Sequence, residues 1–161
     1  MASNARVGIG YDIHRLAEGR RLVLGGVVVE HSRGLIGHSD ADAVLHAVTD
    51  ALLGAAGLPD IGELFPDTDP AYKDADSRIL LADAMERIHK RGYKACNIDV
   101  VVHAEAPKLS PYKARMGESI AGLTGLSPEF VSVKAKTNEG LGPLGHADAI
   151  ACTAVALVMP L

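Results

Sequence analysis

Apolar and polar positions follow two rhythms along this chain, and the change of rhythm marks its elements. Residues 6–11 (Arg-Val-Gly-Ile-Gly-Tyr) read as a short first strand, with Asp12, Ile13 and His14 at its exit. Residues 21–30 read as two more strands folded about Gly25-Gly26, a strong hairpin signal. From about residue 39 to 55 the period becomes helical, with Val44, Leu45, Val48 and Leu52 as apolar surface. His38, Asp42, His46 and Asp50 recur every four residues and would share one polar side of that helix. Ser39 or Asp40 can cap its start, and Gly57 with Pro59 stops it.

The next stretch, 60–70, has no period and is dense in turn formers, so it reads as a loop of the kind that binds ligands. A second helix runs from a cap at Asp76 or Ser77 to Arg91, with Leu80, Leu81, Ala84, Met85 and Ile88 on its apolar side. Residues 93–105 form a β-branched run and read as a central strand. Ser110-Pro111 opens a third helix to about Leu123. Residues 130–137 are another strand, followed by a glycine-rich turn over 139–145. The apolar segment 149–159 then reads as its returning hairpin partner. The whole, 1–161, is expected to be one mixed α+β domain with no repeat or linker.

Composition narrows the function. Nearly half the residues are apolar (48%) and the formal net charge is −4, which exclude a disordered chain and a general nucleic-acid or membrane-surface binder. No apolar run reaches the roughly 20 residues that span a bilayer, and the N-terminal six residues are too short and polar for a targeting peptide. A soluble, cytoplasmic protein is expected. Cys96 and Cys152 both lie in apolar strands, where buried, inert thiols are the expectation.

The chemistry concentrates in a few places. Asp12 and His14 lie two apart on an extended segment and point the same way. With His46 from the helix they would make the two-His, one-carboxylate set of a catalytic zinc site, although a local cap and a surface His give the same spacing. Asp50 or Asp42 could orient His46 from behind. His38-Ser39 lies where helix N–H groups favour a phosphate, or serves as a simple cap. At the end of the 130–137 strand, Thr137 and Glu139 could reach one site, with hydroxyl to phosphate and carboxylate to Mg²⁺. Alternation puts Lys134, Lys136 and Asn138 on the other side; the alternative reading is an edge strand with lysines on its solvent face. His31, His89 and His103 have no partners at informative spacing.

Five segments also occur in a known order: Gly10-Tyr11-Asp12-Ile13-His14; Gly37-His38-Ser39-Asp40-Ala41-Asp42 with Leu45-His46; the stretch from Asp60-Ile61-Gly62 to Phe65-Pro66-Asp67-Thr68-Asp69; Ala106-Pro107-Lys108; and Lys134-Ala135-Lys136-Thr137-Asn138-Glu139. Together they resemble the 2-C-methyl-D-erythritol 2,4-cyclodiphosphate synthase family over nearly the whole chain. The resemblance implies a metal-dependent enzyme of the non-mevalonate isoprenoid pathway. It would convert 4-diphosphocytidyl-2-C-methyl-D-erythritol 2-phosphate to the 2,4-cyclodiphosphate and CMP.

It also implies a mixed sheet with helices on one face, and a homotrimer about a sheet-lined axis with active sites between subunits. Asp12, His14 and His46 would hold Zn²⁺, and Glu139 would share Mg²⁺ or Mn²⁺ with the diphosphate. His38 and Thr137 would stabilise the transition state. Substrate would lie along Asp12, Ile13, His14, His38 and Ser39, with Asp60, Ile61 and Gly62 at the ribose. Phe65, Pro66, Asp67, Thr68 and Asp69 would surround the methylerythritol. Ala104, Pro107, Lys108, Leu109 and Ser110 would hold the cytosine and its phosphate, with Lys136, Thr137, Asn138 and Glu139 beside them. Many members carry an aromatic and an Arg in the glycine-rich turn, where this chain has Pro143 and His146. His146 would hold an isoprenoid diphosphate in the trimer channel more weakly, and at lower pH. The competing readings are a zinc-dependent phosphohydrolase and a non-catalytic nucleotide- or metal-binding trimer.

Overall fold

The computed structural model describes residues 4–161; residues 1–3, part of the polar N-terminal stretch, lie outside the described residues. Four strands come first: β1 (Arg6–Glu18), β2 (Leu22–Leu24), β3 (Val27–Val29) and β4 (Arg33–Leu35). Helices α1 (Ala43–Ala56), α2 (Ile61–Leu64) and α3 (Ser77–Lys90) follow, then β5 (Tyr93–His103), α4 (Lys113–Thr124), β6 (Val131–Lys136), the single turn α5 (Gly142–Gly145) and β7 (Ala149–Pro160). One five-stranded mixed sheet runs β4-β1-β7-β5-β6, with the β2-β3 ribbon apart from it. The α+β reading holds.

Two rows across the sheet define its faces. Gly10, Ala154, Val100 and Val133 are register partners across four strands, and α1, α3 and α4 pack on that side. The neighbouring row, Ile9, Val155, Asp99 and Ser132, lies on the face without helices. There Val7, Ile9, Tyr11, Ile13 and Val155 form an exposed apolar stripe along β1 and β7, with Ile9 70% exposed.

The approach of α1 to β1 is unusually close, and two glycines permit it. A Cβ at Gly8 would sit 2.0 Å from the Ala51 carbonyl oxygen, and one at Gly10 would sit 2.0 Å from that of Ala47. Ala43, Ala47, Ala51 and Ala55, spaced one turn apart and all buried, give the helix a flat flank for this contact. Asp12 and His14 continue the same strand face beyond the glycines. His46, next to Ala47, is thereby brought against them.

Several expectations need correction. The first strand extends to Glu18, so Asp12 and His14 sit inside it, held by pairing to Cys152 and Ile150 of β7. The short β4, which pairs with β1, was not anticipated. Helix α1 starts at Ala43: Ala41 is left-handed (φ 58), which stops the helix from reaching back to Ser39, and Asp42 is the cap. His38 therefore lies off the helix. The 60–70 loop contains α2, capped by Asp60, and a 3₁₀ turn at Pro70–Tyr72, capped by Asp69.

Helix α4 begins after Tyr112 without a side-chain cap, because residues 109–112 close a turn of their own before it. β7 does not pair with β6. The connection over 137–148 carries the chain past β5, and β7 inserts between β1 and β5 as the central strand, consistent with its nearly continuous apolar run. Cys152 is buried as expected, and burial pushes its thiol up, whereas Cys96 is only half-buried at the β5 bulge. The hairpin about Gly25-Gly26 forms as expected, with φ of 61° and 73° at the two glycines.

Candidate metal and phosphate site

Asp12 and His14 of β1 meet His46 of α1 at one point. His14 Nε2 lies 2.8 Å and His46 Nδ1 2.9 Å from Asp12 Oδ2, and the two ring nitrogens are 3.3 Å apart. Four ligands at zinc-like distances stand about 3.3 Å from one another in a tetrahedron, so these three donors approximate one face of it. They form the cluster of metal-ligating type found among the described residues. All three are partly buried in a cavity of about 520 Å³ that Gly37, His38, Ser39, Ile61, Gly62, Phe65, Asp67, Tyr72 and Leu80 also line.

The proton positions suit a cation. His14 Nδ1 lies 2.8 Å from the Ile36 carbonyl, an acceptor only, so that nitrogen carries the proton and Nε2 offers its lone pair. Burial pushes the Asp12 carboxyl up, but its bonds to His14 and His46 outweigh this and hold it well below the usual range. His14 is correspondingly raised: burial alone would lower it, and the hydrogen bond and charge of Asp12 overcome that. A partly buried, ionised carboxylate that shares the protons of two imidazoles is an arrangement whose protons a divalent cation would replace.

The residues expected behind His46 do other work. Asp42 is fully buried and accepts from the N–H groups of Gly25, Gly26, Val44 and Leu45 at 2.6–3.1 Å, tying the β2-β3 turn to the start of α1. Burial pushes its carboxyl up to about 6, against those four donors. Asp50 accepts from the Ile61 N–H at 2.8 Å and so fixes α2 to α1; burial raises it too. Neither carboxylate bonds the His46 ring; Asp42 meets His46 through its backbone carbonyl, which accepts the His46 N–H at 3.0 Å. Two residues that sequence spacing missed stand nearby: Ser77 Oγ at 2.9 Å from His46 Nε2, and Asp40 beyond it. Ser39, only 6% exposed, turns its hydroxyl to His46 Nε2 at 3.2 Å.

The loop residues meet the same cavity. His38 Nε2 lies 3.2 Å from the Asp69 carbonyl, which joins the 37–39 segment to the 65–69 segment. Phe65 is buried edge-on against Tyr72 at 5.4 Å, with the Arg87 guanidinium 5.7 Å from its ring centre. Asp60, Pro66, Thr68 and Asp69 flank this wall without lining it.

The other sequence-predicted residues lie elsewhere in the same chain. Ala104, Pro107, Lys108, Leu109, Ser110, Lys136 and Thr137 line a second cavity of about 210 Å³ with Glu105, at the ends of β5 and β6. The Ala106–Pro107 peptide there is cis. Thr137 donates to Glu139 at 2.7 Å, and Glu105, which was missed, accepts from the Asn138 N–H. Ile13, Ala151, His103 and Lys136 are register partners over four strands, so three steps of about 4.8 Å put this patch about 14 Å from the metal cluster. Ile13 itself faces away from Asp12 and His14, into a third cavity with Arg15 and Pro143, and His146 is exposed at the end of α5.

Residues 5–159 match the YgbB family. The chain belongs to that family. A relative from Bordetella avium (strain 197N), named 2-C-methyl-D-erythritol 2,4-cyclodiphosphate synthase, is 57% identical over 95% of this chain and 94% of its own length. One of the same name from Ralstonia pickettii (strain 12J) is 57% identical over 95% and 91%. Among solved structures, the chain matches a 2C-methyl-D-erythritol-2,4-cyclodiphosphate synthase in a CDP-bound form with a TM-score of 0.87 and 40% identity, over 95% of this chain and 99% of that one. It also matches the bifunctional IspDF from Campylobacter jejuni, with a TM-score of 0.95 and 40% identity, over 99% of this chain and 43% of that one. The sequence-level resemblance and the family assignment agree.

Proposed function

We propose that this chain carries out the reaction for which its relatives are named, on a site that two copies of the chain complete. It is an enzyme that closes 4-diphosphocytidyl-2-C-methyl-D-erythritol 2-phosphate to 2-C-methyl-D-erythritol 2,4-cyclodiphosphate, in the methylerythritol phosphate route to isoprenoids. An oxygen of the 2-phosphate bonds to the β-phosphorus, the bridging bond from that phosphorus to the α-phosphate breaks, and its electron pair leaves with CMP. The attacking oxygen is already anionic, so no general base is needed, and positioning with charge stabilisation carries the rate. The single observation behind this reading is the convergence of Asp12, His14 and His46 in a cavity walled by His38 and the 61–67 segment.

Asp12, His14 and His46 would hold the divalent metal, which we take as Zn²⁺ from the two-imidazole, one-carboxylate set. Glu139 would hold a second ion, Mg²⁺ or Mn²⁺, with the substrate's diphosphate. When bound, such ions polarise phosphoryl oxygens and spread the developing charge. His38 and Ser39 border the phosphates; Asp60 and Gly62 meet the ribose; Phe65 to Asp69 enclose the methylerythritol. Ala104 to Ser110 take the cytosine, and Thr137 faces the phosphoryl group undergoing transfer.

That last role sets the assembly. Thr137 and the metal cluster must touch the same phosphoryl group, yet about 14 Å separates their patches within one chain. A second copy therefore supplies Thr137 and Glu139, and the exposed Val7, Ile9, Tyr11 and Ile13 stripe is the face that copies bury around the axis of a homotrimer. No described helix is long and apolar enough to cross a membrane, and two unpaired cysteines suit the cytoplasm.

Phosphorus NMR of the products from the cytidylated substrate tests the reaction. The cyclic diphosphate and CMP are expected in equal amounts; a linear product in its place would make the chain a hydrolase.

A further inference from the structure

His46 can ligate a cation only if Nδ1, the nitrogen facing Asp12 and His14, carries no proton. The ring alone does not decide this, because both neutral tautomers are accessible to imidazole. Its other nitrogen, Nε2, has two hydroxyl neighbours, Ser77 Oγ at 2.9 Å and Ser39 Oγ at 3.2 Å. Either hydroxyl can donate or accept, so the outcome depends on which proton is already spoken for.

Ser77 has one hydroxyl proton, and it goes to Asp40. The Ser77 hydroxyl donates to Asp40 Oδ1, and the Ser77 N–H lies 3.1 Å from Oδ2 of the same carboxylate. Asp40 is held in turn by the Asp42 N–H at 3.2 Å. A carboxylate can only accept, so Ser77 Oγ has lone pairs and no proton left for His46. His46 Nε2 must therefore be the donor, which leaves Nδ1 as the ligating nitrogen; a proton that the metal-free ring shares there with the Asp12 carboxylate at 2.9 Å is the one a cation displaces. We infer that Asp40 and Ser77 are positioning residues that set the His46 tautomer, and that they, not Asp42 or Asp50, stand behind this ligand. Ser77 is 1% exposed and sits at the start of α3, so its bond to His46 also ties the metal cluster to that helix.

Ser39 gives the relay its purpose. Ser39 Oγ accepts from the Ala41 N–H at 3.2 Å, and its own proton is free to point at His46 Nε2. With Ser77 absent, that proton would select the other tautomer, with N–H aimed at the cation. The inference rests on Asp12, His14 and His46 being metal ligands, and its test separates the two ideas.

The variant is Ser77→Ala, which keeps the backbone N–H bond to Asp40 and deletes only the hydroxyl; Ser77→Thr restores it. Two readouts are needed on the full chain: the His46 tautomer by nitrogen-15 NMR of the metal-free protein, and Zn²⁺ affinity by competition with a chromophoric chelator. In the parent chain His46 Nε2 should carry a proton; in Ser77→Ala Nε2 should be bare, accepting from Ser39, with the proton on Nδ1. The Zn²⁺ dissociation constant should rise about 10- to 100-fold, the usual effect of removing a partner behind a ligand, and recover in Ser77→Thr. An unchanged tautomer with unchanged affinity in Ser77→Ala overturns the inference and leaves the ligand set standing. A parent chain that binds no Zn²⁺ overturns both.

Discussion

The two halves of the proposed site are built to different standards. The metal half is finished within one chain: three donors within 3.3 Å of one another, both histidines fixed by a hydrogen bond from behind, between a strand and a helix that glycines bring into backbone contact. The 104–139 half is a smaller cavity of about 210 Å³ where β5 and β6 end, with Thr137 and Glu139 exposed and bonded to each other. One half must hold an ion rigidly, because ligand geometry fixes its affinity. The other must admit a nucleotide and can be finished by a neighbour. The difference shows that a buried, preorganised site needs secondary structure on both sides, whereas an edge site can borrow its second wall.

The comparison breaks hardest at the ligands. His46→Ala should remove bound Zn²⁺ and lower turnover at least about 10³-fold, while the assembly keeps its mass; metal analysis and light scattering read both. Full metal and turnover would take His46 out of the set. Ile9→Lys places a charge on the exposed stripe and should give monomers with turnover down by about 100-fold or more. Those monomers should still bind Zn²⁺, because the metal half is complete in one chain. Monomers at full turnover would refute the shared site.

Asp42→Ala tests the scaffold rather than the ligands. Four N–H groups lose a buried acceptor, so urea unfolding should show a loss of about 2–4 kcal/mol; a neutral result would make the Asp42 ties incidental. The smallest effect belongs to the open half. Glu139→Gln should raise the Mg²⁺ or Mn²⁺ concentration needed for half-maximal turnover roughly tenfold, with Zn²⁺ content untouched. An unchanged titration removes Glu139 from that role.

Most of the elements were legible because apolar spacing is a local property: α3, β5 and the hairpin at Gly25-Gly26 lie where their residues put them. Pairing was not legible for β7, since a continuous apolar run says that a strand is buried without saying between which neighbours. The α1 boundary was misread because nothing at Ala41 announces a left-handed backbone. The ligand triad was readable from Asp-x-His and a helical His. Its strongest local support went unused: Gly8 and Gly10, two apart and in phase with Asp12 and His14, mark the strand face that a helix can approach. Ser77 could not be found by spacing, because it reaches His46 from 31 positions away through the packing of α3.

The central claim, that each site takes its metal half from one copy and Thr137 with Glu139 from another, is tested by mixing two inactive chains. His46→Ala and a Thr137→Ala, Glu139→Ala double variant are co-refolded in equal amounts. In randomly mixed trimers about one boundary in four joins two intact halves, so turnover should return to about a quarter of the parent level. If both halves of a site come from the same chain, mixing restores nothing, and the account is wrong.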